Sequence, residues 1–220
     1  MAPHASQSAG TGLLPVIKPM FATPGVLPRA DAEYGFEVKW DGARIGIQVP
    51  AGGPLRLLSR SGLDVTATFP ELAPLADGLH GRSAILDGEV VALDARGLPD
   101  LARLRRRLNV HNPRRAATLV MDVPVHLVLF DLLYIDGRMC TSRPYRERRA
   151  ALTRLGLVSP RWSTPTHSEG QGPLALEQTL ANGLGGLVCK RLDSPYRPGV
   201  RSPEWIKITR SATLDLADGR

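Results

Sequence analysis

The feature that most constrains the fold is a pair of alternating runs set about an Asp-Gly dipeptide. Tyr34, Phe36, Val38 and Trp40 fall at every second position, and Ile45, Ile47 and Val49 repeat the pattern a few residues later. A period of two marks a strand with one buried face. Asp41-Gly42 between the runs is a hairpin signal, because glycine takes a positive φ without a Cβ clash, so Lys39 is expected at a strand end just before a tight turn. Further strands are predicted over residues 55–59, 84–93, 125–135, 186–192 and 205–208, with turns at Ser61-Gly62, Arg96-Gly97 and Asp136-Gly137. Apolar spacings of three and four predict helices over 71–79, 99–108, 145–155 and 174–181. The strands do not alternate strictly with helices. An α+β domain of packed antiparallel sheets flanked by helices is therefore expected, rather than a doubly wound parallel sheet. Residues 1–12 are small and polar without periodicity and read as a disordered leader; the folded domain is expected over 13–212, with a tail over 213–220.

Composition narrows the function. Twenty-eight Lys and Arg against 21 Asp and Glu give a formal charge of +7, which favours a polyanionic partner such as nucleic acid or a nucleotide. Solubility alone is the competing explanation. Cys140 and Cys189 lie far apart and match no metal-ligand spacing, and the five histidines are scattered without an HExxH pairing; a zinc hydrolase is not indicated. There is no GxSxG elbow, no basic and apolar leader and no long apolar run, so secretion and membrane spanning are not expected, and a reducing cytoplasm fits.

Within the first strand and turn, Glu37, Lys39 and Asp41 share one alternation. Burying a lysine opposite an apolar set costs several kcal/mol unless it is neutral or paired, so spacing alone allows an exposed polar stripe. Phe130 in VHLVLFDLLYI reads equally as core, Asp87 and Glu89 as residues bounding a strand, and Arg60 as a surface charge. Arg103, Arg105, Arg106, Arg107, Arg114 and Arg115 read either as a solvated basic face or as contacts to a DNA backbone.

Taken together, these segments resemble one family. The run EVKWDGAR is similar to the K-x-D-G motif of the covalent nucleotidyltransferases, and it is followed in that family's order by SRSG at 59–62, LDGE at 86–89, FDLLY at 130–134, GLVCK at 186–190 and WIKI at 205–208. IKPMFATPG and LVCKRLDSPYRPGVRSPEWIKI further resemble the adenylation domain of bacterial end-joining, ATP-dependent DNA ligases. The resemblance implies the ligase nucleotidyltransferase fold and a lysine, Lys39, that attacks the α-phosphate of ATP to become lysyl-AMP. AMP then passes to a DNA 5′-phosphate, and a 3′-hydroxyl displaces it to join the strands. It further implies that Glu37 lies beside the adenine, that Arg44 and Arg60 hold the sugar and phosphate side, and that Glu89 contacts the ribose or a metal. Phe130 would stack on the base, with Lys190 and Lys207 facing phosphate. Mg²⁺ or Mn²⁺ would accompany ATP. A free lysine titrates near 10.4 and must be neutral to attack, so cationic neighbours and a metal would favour the reaction. Nicked or broken DNA, and a separate OB-fold or end-joining protein, are the implied partners. A bacterial cytoplasmic location is implied, nucleoid-associated when the protein is on DNA.

This chain departs from the family pattern at two places. Gly185 stands where the family carries a glutamate serving a metal, and Thr209 stands where it carries a second lysine. A hard cation thereby loses one oxygen donor and the phosphates one positive neighbour. The chain also ends soon after Lys207, without the length for an OB-fold domain. Impaired strand joining by the chain alone is therefore expected. The competing expectation is a degenerate module that binds ATP or DNA without forming an adduct.

Overall fold

The computed structural model describes residues 14–210; the expected leader and tail lie outside the described residues. The strands are β1 (Phe21–Pro24), β2 (Tyr34–Val38), β3 (Ala43–Val49), β4 (Arg56–Ser59), β5 (Ala84–Ala92), β6 (Val125–Ile135), β7 (Arg138–Met139), β8 (Trp162–Ser163), β9 (Ser168–Glu169), β10 (Gly186–Arg191) and β11 (Arg201–Thr209). The α-helices are α1 (Leu101–Arg105), α2 (Pro113–Asp122), α3 (Tyr145–Arg154) and α4 (Gly172–Ala181). The strands form two sheets, ordered β1-β11-β10-β2-β9 and β4-β3-β5-β6-β7, with β8 paired to β6. Pairing is antiparallel except for β1 with β11 and β6 with β8. The α+β architecture of packed, mostly antiparallel sheets is the one expected.

Alternation along the strands sets the layers. In the first sheet Phe36, Leu187, Cys189 and Ile208 turn one way and form a core with Leu176 of α4. In the second sheet Ile45, Ile47, Leu57, Leu86, Val90, Leu127 and Leu129 turn toward Phe69, Leu72, Leu75, Leu104 and Leu152, the larger core. Between the sheets, Ile85 and Leu133 of the second meet Trp205 of the first, with Met20 and Tyr196. β5 and β6 are buried on both faces, which is why their sequences run almost continuously apolar.

Several expectations need correction. Residues 71–79 are helical, but as a 3-10 helix over Pro70–Leu79 containing Pro74; an internal proline lacks the N–H that an α-helical ladder requires. The helix expected over 99–108 is shorter, Leu101–Arg105. α2 was not anticipated, although Ala116, Leu119, Val120 and Val123 stand at helical spacing, the Asn112 side chain caps it and Pro113 opens it. Asp41-Gly42 does not close a hairpin. β2 belongs to one sheet and β3 to the other, so residues 39–42 carry the chain across between them. Gly42 is required for a different reason than a positive φ: a Cβ there would lie 2.2 Å from the Val90 carbonyl oxygen.

Candidate active site

The crossing at residues 39–42 opens onto a cleft of about 350 Å³ between the sheets. Lys39, Glu37, Arg44, Arg60, Glu89, Phe130, Lys190 and Lys207 all line it, together with Asp41, Phe21, Val188, Arg201 and Trp205. Alternation explains the gathering. Because Phe36, Leu187, Cys189 and Ile208 face α4, the intervening Glu37, Val188, Lys190 and Lys207 face the cleft. Arg44 and Glu89 are paired across β3 and β5, opposite in sense to the buried Ile45 and Val90.

Lys39 is positioned by its backbone N–H, which donates to the Gly186 carbonyl at 2.8 Å. Gly186 has φ 136°, and a Cβ on it would lie 1.9 Å from the Ile208 carbonyl oxygen, so glycine is mandatory where β10 begins. The Lys39 ammonium forms an ion pair with Asp41, which is half exposed. Gly185 borders the same carboxylate: a Cβ at 185 would lie 2.8 Å from Asp41 Oδ2. Asp41 therefore occupies space that a side chain at 185 would contest.

Deeper in the cleft is a buried charged group. Lys190 Nζ lies 2.6 Å from Glu37 Oε2, and it sits 4.5–5.0 Å from the ring centres of Trp205, Phe130 and Tyr145. Such a cage stabilises a cation. The Tyr145 hydroxyl donates to Glu37, and Arg149 Nε lies 3.8 Å from the same carboxylate. Burial pushes the Glu37 carboxyl up, but Lys190 and Arg149 outweigh it and hold the group below the ordinary range. Glu37 is thus an anion locked in place.

Arg44 donates to both oxygens of the buried Asp87, at 2.6 Å each, while its guanidinium lies 4.6 Å from the Phe130 ring centre. The Tyr196 hydroxyl also donates to Asp87, at 2.5 Å. Burial works against the Arg44 charge, but Asp87 overrides it and raises the pKa above the usual value. Glu89 is the opposite case. It has no hydrogen-bond or ion-pair partner among the described residues, and burial pushes its carboxyl up to about 7, against the pull of Arg44 and Lys39. A carboxyl left unpartnered in the wall of a cationic cleft is poised to meet a ligand or cation.

A protein-family model described as ATP dependent DNA ligase domain matches residues 19–209. The chain belongs to that family. It is 36% identical over 204 residues to the multifunctional non-homologous end joining DNA repair protein LigD of Mycobacterium tuberculosis, covering 92% of this chain and 25% of that protein. It is 38% identical over 192 residues to a probable DNA ligase of Anaeromyxobacter dehalogenans, covering 84% of this chain and 36% of that one. The chain thus spans a quarter to a little over a third of the length of these curated relatives. Among solved structures it resembles the ligase domain of M. tuberculosis LigD, with a TM-score of 0.76 and 36% identity over 88% of this chain and 60% of that one. A mycobacterial DNA ligase D complexed with ATP and MES matches equally, with a TM-score of 0.76 and 35% identity, again over 88% of this chain and 60% of that one.

The fold of this ligase domain uses residues that the sequence analysis passed over. Tyr145 and Arg149, one turn apart on α3, both reach Glu37; their i, i+4 spacing beside buried Leu152 was the available signal. Asp131, within the FDLLY segment, is fully buried and held by Arg148 Nε and Nη2 at 2.8 and 3.0 Å, a structural pair. Arg107 does not belong with the exposed arginines. It is completely buried, donating to both Glu71 oxygens and to the Thr68 and Val123 carbonyls. Arg105, Arg106, Arg114 and Arg115 are exposed.

Proposed function

We propose that this chain is a DNA-ligase-type adenylyltransferase in which Lys39 carries AMP. The observation that supports the reading most strongly is the single cleft shared by Lys39, Glu37, Arg44, Arg60, Glu89, Phe130, Lys190 and Lys207. In the first step the neutral Lys39 amine attacks the α-phosphorus of ATP. A P–N bond forms, the α–β phosphoanhydride bond breaks, pyrophosphate leaves and the amine gives up a proton. AMP then passes to a DNA 5′-phosphate, and a 3′-hydroxyl displaces it. Phe130 and Val188 offer apolar surface for the base, and Glu37 a fixed acceptor at its edge. Arg44, Arg60, Lys190 and Lys207 concentrate positive charge where phosphate charge develops, the largest lever in phosphoryl transfer.

Before attack, Lys39 must leave Asp41. A divalent cation fits the chemistry of the wall, since Mg²⁺ commonly takes one or two carboxylates and completes its shell with water and phosphate oxygens. Asp41 and Glu89 are the carboxylates that would hold it. No group of three or more His, Cys, Asp or Glu side chains is gathered among the described residues, which suits a cation carried largely by the nucleotide. Such a cation would supply neutralising charge to the phosphates.

Gly185 and Thr209 favour a second reading, a ligase-like module that binds ATP or DNA without an adduct, or one whose joining is impaired alone. Intact-mass measurement after incubation with ATP and Mg²⁺ or Mn²⁺ separates the two. The expected result is one added AMP that is absent from Lys39→Ala. No adduct with either metal, in a chain that still binds ATP, refutes the adenylyltransferase reading.

A further inference from the structure

Two side chains of α3 reach Glu37 without lining the cleft. Tyr145 is wholly buried and Arg149 nearly so. The Tyr145 hydroxyl donates to Glu37 Oε1, and Arg149 Nε lies 3.8 Å from the same oxygen. We propose that Tyr145 and Arg149 are positioning residues that fix Glu37 against the base and so set a preference for a purine carrying a 6-amino group. This rests on the seat that the adenylyltransferase reading above gives to the base.

What Glu37 must do supplies the first argument. An ionised carboxylate only accepts hydrogen bonds, through about four lone-pair sites. Tyr145 occupies one on Oε1, and Lys190 Nζ meets Oε2 at 2.6 Å, so acceptor capacity remains for the cleft that Glu37 lines. A 6-amino group donates there. A hydrogen at the same place offers nothing, and a 6-oxo group meets a second acceptor. Such discrimination needs the carboxylate in one place, whereas a free glutamate side chain samples several rotamers and a hydrogen bond weakens steeply once misaligned.

The second argument is the way the support is built. Gly35 precedes Glu37 by two residues on the same face of β2. A Cβ on it would lie 3.0 Å from Tyr145 Cε1 and 3.1 Å from His167 Cδ2, so glycine gives these rings room to lie against the strand. They meet edge to face, with ring centres 5.9 Å apart. Arg149 is tethered in turn. It donates to the Leu129 and Pro165 carbonyls, and its Nε donates to His167 Nδ1 at 3.4 Å, while His167 Nε2 faces Glu169 at 3.3 Å. Arg149 therefore cannot follow Glu37 into the cleft. Stability alone is a weak reason for such a cluster, because the desolvation of buried ions commonly offsets their attraction and apolar side chains of similar volume would pack α3 as well. What the cluster supplies is the placement of one charge.

The test is calorimetric titration of the full chain carrying Lys39→Ala, which holds nucleotide without reacting. The ligands are ATP and purine riboside triphosphate, which has hydrogen in place of the 6-amino group. The expected result is a preference for ATP of about tenfold or more, as for one hydrogen bond to a charged group. Adding Tyr145→Phe or Arg149→Met should reduce it to about threefold or less, and Tyr145→Phe should leave affinity for the analogue within about twofold. In a Glu37→Gln background Tyr145→Phe should change the preference no further, because it acts only through Glu37. Tyr145→Phe removes a single hydroxyl, so the comparison stands even where Arg149→Met fails to fold. No preference in the parent chain, a preference that survives Tyr145→Phe, an equal weakening of both nucleotides, or a further loss in the Glu37→Gln background overturns the proposal. A wild-type chain that prefers ATP yet forms no lysyl-AMP would instead overturn the adenylyltransferase reading.

Discussion

Replacing Glu89 by glutamine is expected to stabilise the protein at pH 8 and to leave its stability almost unchanged at pH 4.5. The burial that raises the Glu89 carboxyl to about 7, from an ordinary 4.5, makes the folded state hold a proton that the unfolded chain has released. A raised folded pKa contributes stability that is fully present below the unfolded value and is lost as pH rises through the folded value. Over that window the ionised carboxylate costs the folded state roughly 3 kcal/mol at pH 8, and only a few tenths at pH 4.5. Glutamine has nearly the same shape and no charge to desolvate. For a domain of this size the gain at pH 8 corresponds to a rise in Tm of roughly 6–12 °C, measurable by calorimetry or urea denaturation across the pH range. An equal stabilisation at both pH values would point to a packing effect instead. No stabilisation at pH 8 would show that the carboxylate is not strained, and the argument that its position is kept for binding would fail. The same titration predicts that divalent-cation affinity in the presence of nucleotide rises as pH increases through 7, because binding must expel that proton.

Other substitutions test separate parts of the structure. Gly42→Ala drives a Cβ to 2.2 Å from the Val90 carbonyl oxygen; it should cost about 1–3 kcal/mol in urea denaturation, and a variant as stable as wild type would refute the tight crossing. Arg107→Met leaves the Glu71 carboxylate without its partner and should cost about 3–5 kcal/mol. Changing Arg105, Arg106, Arg114 and Arg115 together to alanine should alter stability by less than about 1 kcal/mol. The same change should lower the salt slope of DNA binding by up to about 4, and an unchanged slope in fluorescence titrations would remove these arginines from the interface. Gly185→Glu must displace Asp41 from its present place, freeing Lys39 and adding an oxygen donor. Faster lysyl-AMP formation with Mg²⁺, by about tenfold or more, is expected by rapid-quench mass measurement, and a slower rate would show that the Asp41 arrangement already serves the reaction.

The sequence made the cleft legible for a physical reason, and it hid the crossing for another. Strand alternation is a local property: Glu37, Lys190 and Lys207 are each one residue from a core partner, so the face that each shows could be read from its own segment. The partner sheet of a strand is not local. Asp41-Gly42 between two alternating runs carries the same pattern whether the chain folds back on itself or crosses to another sheet, and it is the pairing of β2 with β10 and of β3 with β5, far along the chain, that separates the two. The arginines show the same limit in reverse. Leu104, Arg107 and Leu108 stand at helical spacing and mark one inward side, yet an arginine reads as surface until Glu71 and two carbonyls are found to surround it. Arg107, read from the sequence as exposed, thus anchors from beneath the loop that carries Asn109. Gly185 and Asp41 are coupled in the same way: the missing side chain and the Lys39 ion pair occupy adjacent space. The loss of a carboxylate at 185 is therefore offset, or not, by what Asp41 does when ATP enters.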